Sequence, residues 1–377
     1  MIIDRLLRID LSDSQKLAPY WQRTPVFLEK SVDAGSLVPD TETLISILTE
    51  TDLPSRLITG MEGSRFTLKH GPFKQFRMPK GPWSVLIQAI EQLFPEYDLL
   101  RQQLNWIPNW RFEDCMLSWA SKGGSVGRHF DHFSVFLIQL NGHRHWEVGP
   151  QATTATQMLS GQELALVSPD TPVATFIAEP GDVLYLPPHI IHHGVAIDSD
   201  CMTLSIGFRA PNVTELLESA LELSATEGDM IRYNDRGLKP RNQTAKIELE
   251  DLSHVREAIL EMIADNQFLS DILGSRVTSP YLDLQFEDPL SDDTVELLIK
   301  TVKEWELDPS CRVAYFEKIL YCNGERVHDL TPPEMICFVN LRRIETNLFA
   351  TLDSFWQNWL RELIRTELLA PVEHADP

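Results

Sequence analysis

One otherwise apolar, strand-like stretch, RHFDHFSVFLIQLNGHRHWEVG (residues 128–149), carries side chains that are suited to metal and anion binding. Buried strands normally exclude ionisable groups, because removing these groups from water is costly unless they are paired or bind something. Imidazole and carboxylate groups are ligands for first-row transition metals. The stretch therefore indicates a metal site, with candidates among His129, Asp131, His132, His143 and His145, and Arg144 as a cation that could bind an anion beside it.

The Asn141-Gly142 dipeptide within this stretch predicts a two-residue hairpin turn. An unbroken hairpin would place Gln139 opposite Arg144. Because side chains alternate along a strand, His129, Asp131 and Gln139 would share one face, and Arg144 would join them. His-x-Asp then supplies two metal ligands on one face, and a later histidine would complete a facial triad for Fe(II).

The third ligand is expected in EPGDVLYLPPHIIHHGVA (residues 179–196), which contains His189, His192 and His193. Adjacent strand residues point to opposite faces, so His192 and His193 cannot both enter one site. This segment resembles the second motif of the cupin superfamily, G-x5-P-x-G-x2-H. Gly181, Pro187 and His192 match that motif, and His189 stands where the superfamily usually has glycine.

The cupin spacing selects His192 as the ligand and leaves His193 on the surface or behind the ligands. By the same alternation, His132, His143 and His145 are expected to be structural or exposed. Two imidazoles and one carboxylate with open coordination positions favour Fe(II), and a zinc or manganese cupin is the alternative.

Composition limits the class of protein and its surroundings. The chain has 377 residues, of which 43% are hydrophobic and 23% charged, as in an ordinary globular protein. Its net charge of −22 disfavours direct binding of nucleic acid. No apolar run approaches the roughly 20 residues of a membrane span, and the N-terminus does not resemble a secretory signal. Five dispersed cysteines indicate free thiols in a reducing compartment, so a cytoplasmic location is expected.

The pattern of elements predicts an α+β protein with three parts. Residues 1–208 combine short helices, one of them predicted over Pro82–Phe94, with many short strands, including LALVS (164–168), and indicate a sandwich or barrel. Residues 209–275 contain two amphipathic helices, VTELLESALELSAT and DLSHVREAILEMIADNQFLSDIL, which are expected to bury their apolar faces in a homodimer. The alternative is that these faces pack on the domain formed by residues 1–208 of the same chain. Residues 276–377 combine helices with a hairpin that turns at Asn323-Gly324, and indicate a winged-helix-like domain.

Over nearly its whole length the chain resembles the JmjC-type ribosomal oxygenases. The resemblance includes WQRTPVFLEK, GGSVGRHFDHFSVFLIQLNGHRHWEVG, PGDVLYLPP and SIGFRAPN. It is most similar to the bacterial branch, which hydroxylates an arginine of large-subunit ribosomal protein sixteen. The resemblance implies a JmjC/cupin double-stranded β-helix core, a helical dimerisation region and a C-terminal winged helix.

The same resemblance implies the cofactors and the residues that hold them. Fe(II), 2-oxoglutarate and O₂ would take part in the reaction, and the ligands of the iron would be His129, Asp131 and His192. Arg144 occupies the position of the cation that holds the distal carboxylate of 2-oxoglutarate, as a guanidinium does well. Ser118 matches a position that hydrogen-bonds this cosubstrate, and Thr203 is expected to line the same pocket.

Asp114 and Ser205 match positions that grip the substrate guanidinium in the bacterial branch. The simpler alternative for Asp114 is an exposed loop carboxylate. Phe133 departs from the family, where tyrosine is expected, so a stacking surface remains and a hydroxyl is lost. Competing functions are a histidine hydroxylase or a lysine demethylase of the same fold. From another class, a non-catalytic metal-binding cupin module is the alternative.

Overall fold

The computed structural model describes residues 3–61, 63–169, 171–226, 234, 236–243, 245–280 and 289–372. The chain divides into two compact units, Met1–Ala210 and Pro211–Pro377. The first contains mostly strands and the second mostly helices, which confirms the α+β class predicted from the sequence. The domain limits at 208 and 275 stay predictions, and the outer ends of the predicted domains, 1–2 and 373–377, lie outside the described residues.

The first unit is built from short strands with three α-helices between them. The strands are β1 (Asp4–Leu7), β2 (Val26–Glu29), β3 (Ser55–Thr59), β4 (Thr67–His70), β5 (Trp83–Ile87), β6 (Phe112–Ala120), β7 (Ser134–Asn141), β8 (Arg144–Gln151), β9 (Ala174–Ala178), β10 (Val183–Leu186), β11 (Ile190–Ala196) and β12 (Cys201–Phe208). The helices in its described residues are α1 (Ser14–Leu17), α2 (Thr41–Glu50) and α3 (Pro95–Gln102), with 3₁₀ turns at Ile90–Gln92 and Asn109–Arg111.

These strands form two sheets that enclose one core. The larger has the order β1-β2-β10-β7-β12-β6-β5-β3-β4, and the smaller has the order β11-β8-β9. Apart from the parallel β1–β2 pair, neighbouring strands in these two sheets are antiparallel. Leu137 and Leu184 from the larger sheet pack in one cluster with Trp146 and Phe176 from the smaller. Two antiparallel sheets packed in this way match the expected double-stranded β-helix.

The central strands of the larger sheet are covered on both faces, which explains why β7, β10 and β12 are buried almost throughout. Leu137 points into the core between the sheets. On the other face, Phe136 and Tyr185 stack on Trp21 of the N-terminal segment, with ring centroids 6.5 Å and 5.8 Å away. Strand alternation therefore decides which side chains line the interior.

The predicted hairpin at Asn141-Gly142 is wrong. β7 pairs with β10 and β12 in the larger sheet, whereas β8 pairs with β11 and β9 in the smaller sheet. Gly142 has a φ of 64°, but Asn141 is not left-handed, so the turn is not the one that a tight hairpin requires. Both edges of β7 are already occupied, and the chain crosses from one sheet to the other at this point.

Three further local predictions are wrong. Pro82–Phe94 contains β5, which lies between β3 and β6 and is buried throughout, followed by a 3₁₀ turn. LALVS forms no strand and contributes one isolated bridge, Met158 to Val167. The second predicted amphipathic helix is two helices, since Asp265 caps a new helix by accepting a hydrogen bond from Gln267 N.

The second unit contains the remaining elements. They are α4 (Val213–Thr226), α5 (Leu249–Met262), α6 (Asn266–Thr278), α7 (Asp292–Thr301), β13 (Glu304–Leu307), β14 (Val313–Phe316), β15 (Ile319–Cys322), β16 (Glu325–His328), α8 (Pro333–Leu341), β17 (Arg343–Glu345), α9 (Thr346–Phe349), α10 (Ser354–Arg365) and β18 (Leu369–Pro371). Here the Asn-Gly prediction is confirmed: Asn323 and Gly324 have φ angles of 47° and 89° and join the paired strands β15 and β16. Trp305 and Trp356 lie in the core of this region.

None of the helices among the described residues is long and apolar enough to cross a membrane.

Candidate active site

Three predicted metal ligands converge at one end of the small sheet. His192 lies on β11, and His129 and Asp131 lie in the segment before β7, which runs alongside β11 without forming a regular strand. His129 and His192 exchange two backbone hydrogen bonds of 3.0 Å and 2.8 Å, and His189 N donates to Asp131 O at 2.7 Å. These contacts bring two distant parts of the sequence to one place.

The geometry of the three side chains suits a metal ion. Asp131 Oδ2 lies 3.9 Å from His129 Nε2 and 3.6 Å from His192 Nε2, and all three ligand atoms lie within 4.8 Å of one another. Atoms that coordinate one ion at 2.0–2.2 Å lie at most about 4.4 Å apart, so little movement is needed. His129 and His192 each donate from Nδ1 to a backbone carbonyl, which directs the Nε2 lone pair to the shared point.

His192 is buried, and burial, followed by the charge of His129, lowers the pKa of its imidazole to about 4. The neutral imidazole is the form that coordinates a metal. His193 points away from this site, as strand alternation predicts. It is buried rather than exposed and lies 3.6 Å from the Glu147 carboxylate.

His189 keeps the backbone conformation of the glycine that it replaces in the cupin motif, with a φ of 64°. Its ring packs edge-on against His132, with ring centroids 4.9 Å apart, and against Phe130. His132 is exposed, and His143 and His145 are partly exposed. His143 pairs with Asp198 at 2.6 Å, so these histidines have places outside the ligand cluster.

Arg144 is buried inside the core on β8 and is held by neutral groups. Its Nε donates to Thr203 Oγ1 at 2.9 Å, and its Nη2 lies 3.4 Å from Ser118 Oγ. Thr203 in turn donates to Gln139 Oε1 at 2.9 Å. Thr203 therefore connects Gln139 with Arg144, although the predicted hairpin that would have placed them opposite each other is absent.

A buried guanidinium is costly unless an anion compensates its charge. Among the residues that the structure describes, Arg144 forms no ion pair with a carboxylate. The hydroxyls of Ser118 and Thr203 hold its fork in one orientation, and Trp146 lies against it, with the ring centroid 5.8 Å from the guanidinium carbon. This pocket suits a bound carboxylate, to which a guanidinium donates two parallel hydrogen bonds.

Asp114, Ser205 and Phe133 lie along the same inner surface. Ser118 pairs with Thr203 across β6 and β12, and one step further along the strands Ser205 pairs with Met116. Beyond that step, Asp114 and the Phe133 ring both approach Gly207: a β-carbon built there would lie 3.5 Å from Asp114 Oδ1 and from Phe133 Cε2. Asp114 is 7% exposed and lies on β6, so the alternative of an exposed loop carboxylate is wrong.

Glu91, which the sequence reasoning missed, lies behind Asp114. It is buried and accepts a hydrogen bond from Cys115 N at 2.9 Å. Burial, followed by the negative charge of Asp114, raises the pKa of Glu91 to about 8. A carboxyl group with this pKa keeps its proton at neutral pH. Glu91 falls within the segment predicted as a helix, so no periodicity signal marked it.

Arg128 and Glu147 were also missed. They form a close hydrogen-bonded ion pair beside His193. Arg128 directly precedes His129, and Glu147 lies opposite His193 on the neighbouring strand; both histidines were candidates from the sequence. Correct strand pairing of β8 with β11 would have revealed Glu147.

The comparisons with known proteins agree with this arrangement. Residues 99–216 match the JmjC domain family, 173–263 match the AraC-like ligand binding domain, and 261–363 match a ROXA-like winged helix. A probable ribosomal oxygenase of Haemophilus influenzae is 29% identical over 83% of this chain and 81% of its own length. The ribosomal protein uL16 3-hydroxylase of Escherichia coli is 28% identical over 90% of each chain.

Structural similarity extends over the whole chain. A ribosomal oxygenase from Escherichia coli, solved in complex with cobalt and 2-oxoglutarate, superposes with a TM-score of 0.80 at 25% identity, covering 98% of this chain and 99% of that one. The fold and the His-Asp-His site define a JmjC-type, 2-oxoglutarate-dependent dioxygenase. Within that class, the chain is similar over most of its length to ribosomal oxygenases of bacteria.

The raised pKa of Glu91 predicts a pH effect on stability. As pH rises from about 4.5 to 8, the unfolded chain releases the Glu91 proton before the folded chain does, which lowers the free energy of unfolding. Glu91→Gln can still accept from Cys115 N and carries no such proton. Its advantage over the wild type should therefore grow with pH to roughly 3–5 kcal/mol, at about 1.4 kcal/mol per pKa unit.

Urea unfolding at several pH values measures this difference. The exposed Glu50→Gln on α2 serves as the control and should follow the wild-type profile. Parallel profiles for wild type and Glu91→Gln would contradict a proton held at Glu91.

Proposed function

We propose that this protein hydroxylates an arginine side chain of a large-subunit ribosomal protein, using Fe(II), 2-oxoglutarate and O₂. The observation that carries the proposal is the position of Arg144. It is a buried cation held by hydroxyls, inside the same barrel as a facial His-Asp-His cluster. A 2-oxo acid with a second carboxylate needs two such groups: a metal ion that it can chelate, and a fixed guanidinium that binds the second carboxylate.

The proposed iron ligands are His129, Asp131 and His192. The donor set, two neutral imidazoles and one carboxylate, fits Fe(II) with positions left open for substrates. When bound, the iron couples oxidative decarboxylation of 2-oxoglutarate by O₂, which yields succinate and CO₂, to insertion of the other oxygen atom into a substrate C–H bond. Cobalt in the Escherichia coli relative is consistent with a divalent ion at such a site.

The protein contributes position and exclusion of water to this chemistry. Arg144 would bind the distal carboxylate of 2-oxoglutarate through its fork, and Ser118 would donate a further hydrogen bond. Thr203 accepts from Arg144 Nε and keeps the guanidinium plane fixed. Apolar side chains such as Leu137 and Trp146 line the core beside this pocket and keep it dry.

Asp114 and Ser205 are proposed to bind the substrate guanidinium. The support is that both line the inner surface beyond the cosubstrate pocket, and that Asp114 is a buried carboxylate. A planar guanidinium can donate two hydrogen bonds to a carboxylate and stack on the ring of Phe133. Since Phe133 lacks the hydroxyl of tyrosine, it offers the ring face alone.

The substrate is proposed to be the counterpart of uL16, on which the Escherichia coli relative acts by name. An acidic chain of net charge −22 suits a basic ribosomal protein and disfavours direct contact with ribosomal RNA. Ribosomal proteins are made and assembled in the cytoplasm, so this is the proposed location.

A homodimer is proposed through α4 and α5. Val213, Leu217 and Leu221 form one exposed apolar stripe on α4, spaced at every fourth residue. On α5, Leu252 and the following turns repeat the pattern, and none of its residues is buried. A second copy would cover these stripes, as symmetric dimers do with self-complementary apolar faces.

Sizing by light scattering should give about twice the 43.1 kDa of one chain, and Leu221→Lys should shift the mass to that of the monomer.

The experiment that tests the proposed function uses the purified protein with Fe(II), 2-oxoglutarate, O₂ and ribosomal proteins of the same organism. Mass spectrometry should find a gain of one oxygen atom on an arginine of one large-subunit protein. A gain on histidine, or loss of a methyl group from lysine, would favour the competing enzymes. Metal binding without any turnover of 2-oxoglutarate would favour a non-catalytic cupin module.

Arg144→Ala should weaken 2-oxoglutarate binding strongly and leave binding of a divalent metal ion nearly intact. Loss of a buried partner for a carboxylate costs about 2–5 kcal/mol, which corresponds to a roughly 30- to 4,000-fold loss of affinity. Calorimetry with Co(II) and 2-oxoglutarate measures both affinities. Arg209→Ala, which removes a half-exposed arginine paired with Glu113, is the control. Unchanged cosubstrate affinity in Arg144→Ala would assign the role to another cation.

Asp114→Asn should slow hydroxylation of the ribosomal substrate by roughly 5- to 150-fold, because the amide loses charge assistance worth about 1–3 kcal/mol. Decarboxylation of 2-oxoglutarate without substrate should stay close to that of the wild type. Assays of succinate and of hydroxylated peptide separate the two rates. The matched control is Glu113→Gln, the adjacent strand residue, whose carboxylate pairs with Arg209 at 3.2 Å. Normal hydroxylation by Asp114→Asn would favour a histidine substrate.

A further inference from the structure

Behind the proposed iron ligands, on the other side of β11, lies a second cluster of charged and polar side chains. It consists of Arg128, Glu147 and His193, here called the rear clamp. Arg128 is 7% exposed, His193 is 2% exposed, and the side chain of Glu147 is 24% exposed. Neither the metal nor the cosubstrate role described above uses these three residues.

The carboxylate of Glu147 lies at the centre of the rear clamp. Its Oε2 accepts a short hydrogen bond from Arg128 Nη2 and lies 3.6 Å from His193 Nδ1. His193 and Glu147 are direct partners in the antiparallel pairing of β11 with β8. One carboxylate oxygen therefore connects three separate parts of the chain.

Two of those parts carry the proposed iron ligands. Arg128 immediately precedes His129, and His193 immediately follows His192. His129 lies outside the regular strands, and its backbone is tied to β11 at the isolated bridge with His192. The rear clamp adds a connection through side chains beside this bridge. It joins Arg128, in the segment that carries His129, to Glu147 on β8 and to His193 on β11.

The charge state of the clamp supports an ionic role. Burial acts to raise the pKa of Glu147, but the hydrogen bond and charge of Arg128 and the charge of His193 outweigh it and lower the pKa. Glu147 therefore stays ionised at neutral pH. A directional bond between two charged groups fixes the orientation of the backbone that carries them more narrowly than apolar packing would.

We propose that Glu147 is a positioning residue for the metal site, which holds Arg128 and His193 so that His129 and His192 stay at ligand spacing. The proposal rests on the proposed function, because it takes those two histidines as metal ligands. Outer partners of metal ligands typically change metal affinity by about 10–100-fold when they are removed. An effect of that size is expected here on metal binding, before any catalysis.

The test measures Co(II) affinity of the full-length protein by calorimetry, together with its thermal unfolding without metal. Glu147→Gln keeps the shape of the side chain and removes the charge, and should raise the Co(II) dissociation constant about 10–100-fold. Asp198→Asn is the matched control, since it removes another carboxylate–imidazole pair, 2.6 Å from His143, outside the clamp. Its dissociation constant should equal that of the wild type.

Two further variants keep the result interpretable. Arg128→Lys retains the cation without the planar fork and should also weaken Co(II) binding, which serves if Glu147→Gln does not fold. Combining Arg128→Lys with Glu147→Gln should add little beyond the larger single effect, because both changes break one connection. Unchanged Co(II) affinity in folded Glu147→Gln, with only a lower unfolding temperature, would overturn the proposal and leave the clamp a stabilising ion pair.

Failure of the proposed function gives a different result. His192→Ala should lose Co(II) binding while the rear clamp stays intact. If His192→Ala bound Co(II) as well as the wild type, the ligand assignment itself would be wrong, and the role of Glu147 in metal positioning would be overturned with it.

Discussion

The whole site depends on one short antiparallel contact between the segment that precedes β7 and strand β11. The backbones of His129 and His192 exchange two hydrogen bonds there, and Asp131 O accepts one from His189 N. Because the paired residues face the same way, these bonds set the distance between imidazoles that belong to distant parts of the sequence. The left-handed backbone of His189 turns the chain into β11 so that this contact can form.

Strand alternation then separates two kinds of charged group on the two sides of the same strands. Arg144 and His192 point into the barrel, where ligands bind, while their strand neighbours Glu147 and His193 point to the rear. The rear charges neutralise one another within the protein. The inner guanidinium contacts only neutral protein groups among the described residues, which suits it to binding an anion.

Much of the site could be predicted from the sequence, because His-x-Asp, the cupin spacing and alternation act locally. The fold could be predicted as a class but not in its pairing. Asn141-Gly142 and Asn323-Gly324 carry the same turn signal, yet only the second joins paired strands. The difference is long-range: both edges of β7 are taken by β10 and β12, so β8 joins the other sheet. No local pattern contains that information.

Arg144 shows how a wrong pairing can still give the right face. In this double-stranded β-helix, side chains that point inward from opposite sheets meet in the same core, and Gln139 and Arg144 both point inward. Gln139 and Arg144 meet through Thr203 rather than across a hairpin. Glu91 and Glu147 could not be predicted in this way, because identifying them required knowing which strands lie beside β5 and β8. Inward-facing ligands can therefore be predicted from the sequence of one strand. The groups that support those ligands can be identified only when the pairing of the strands in both sheets is known.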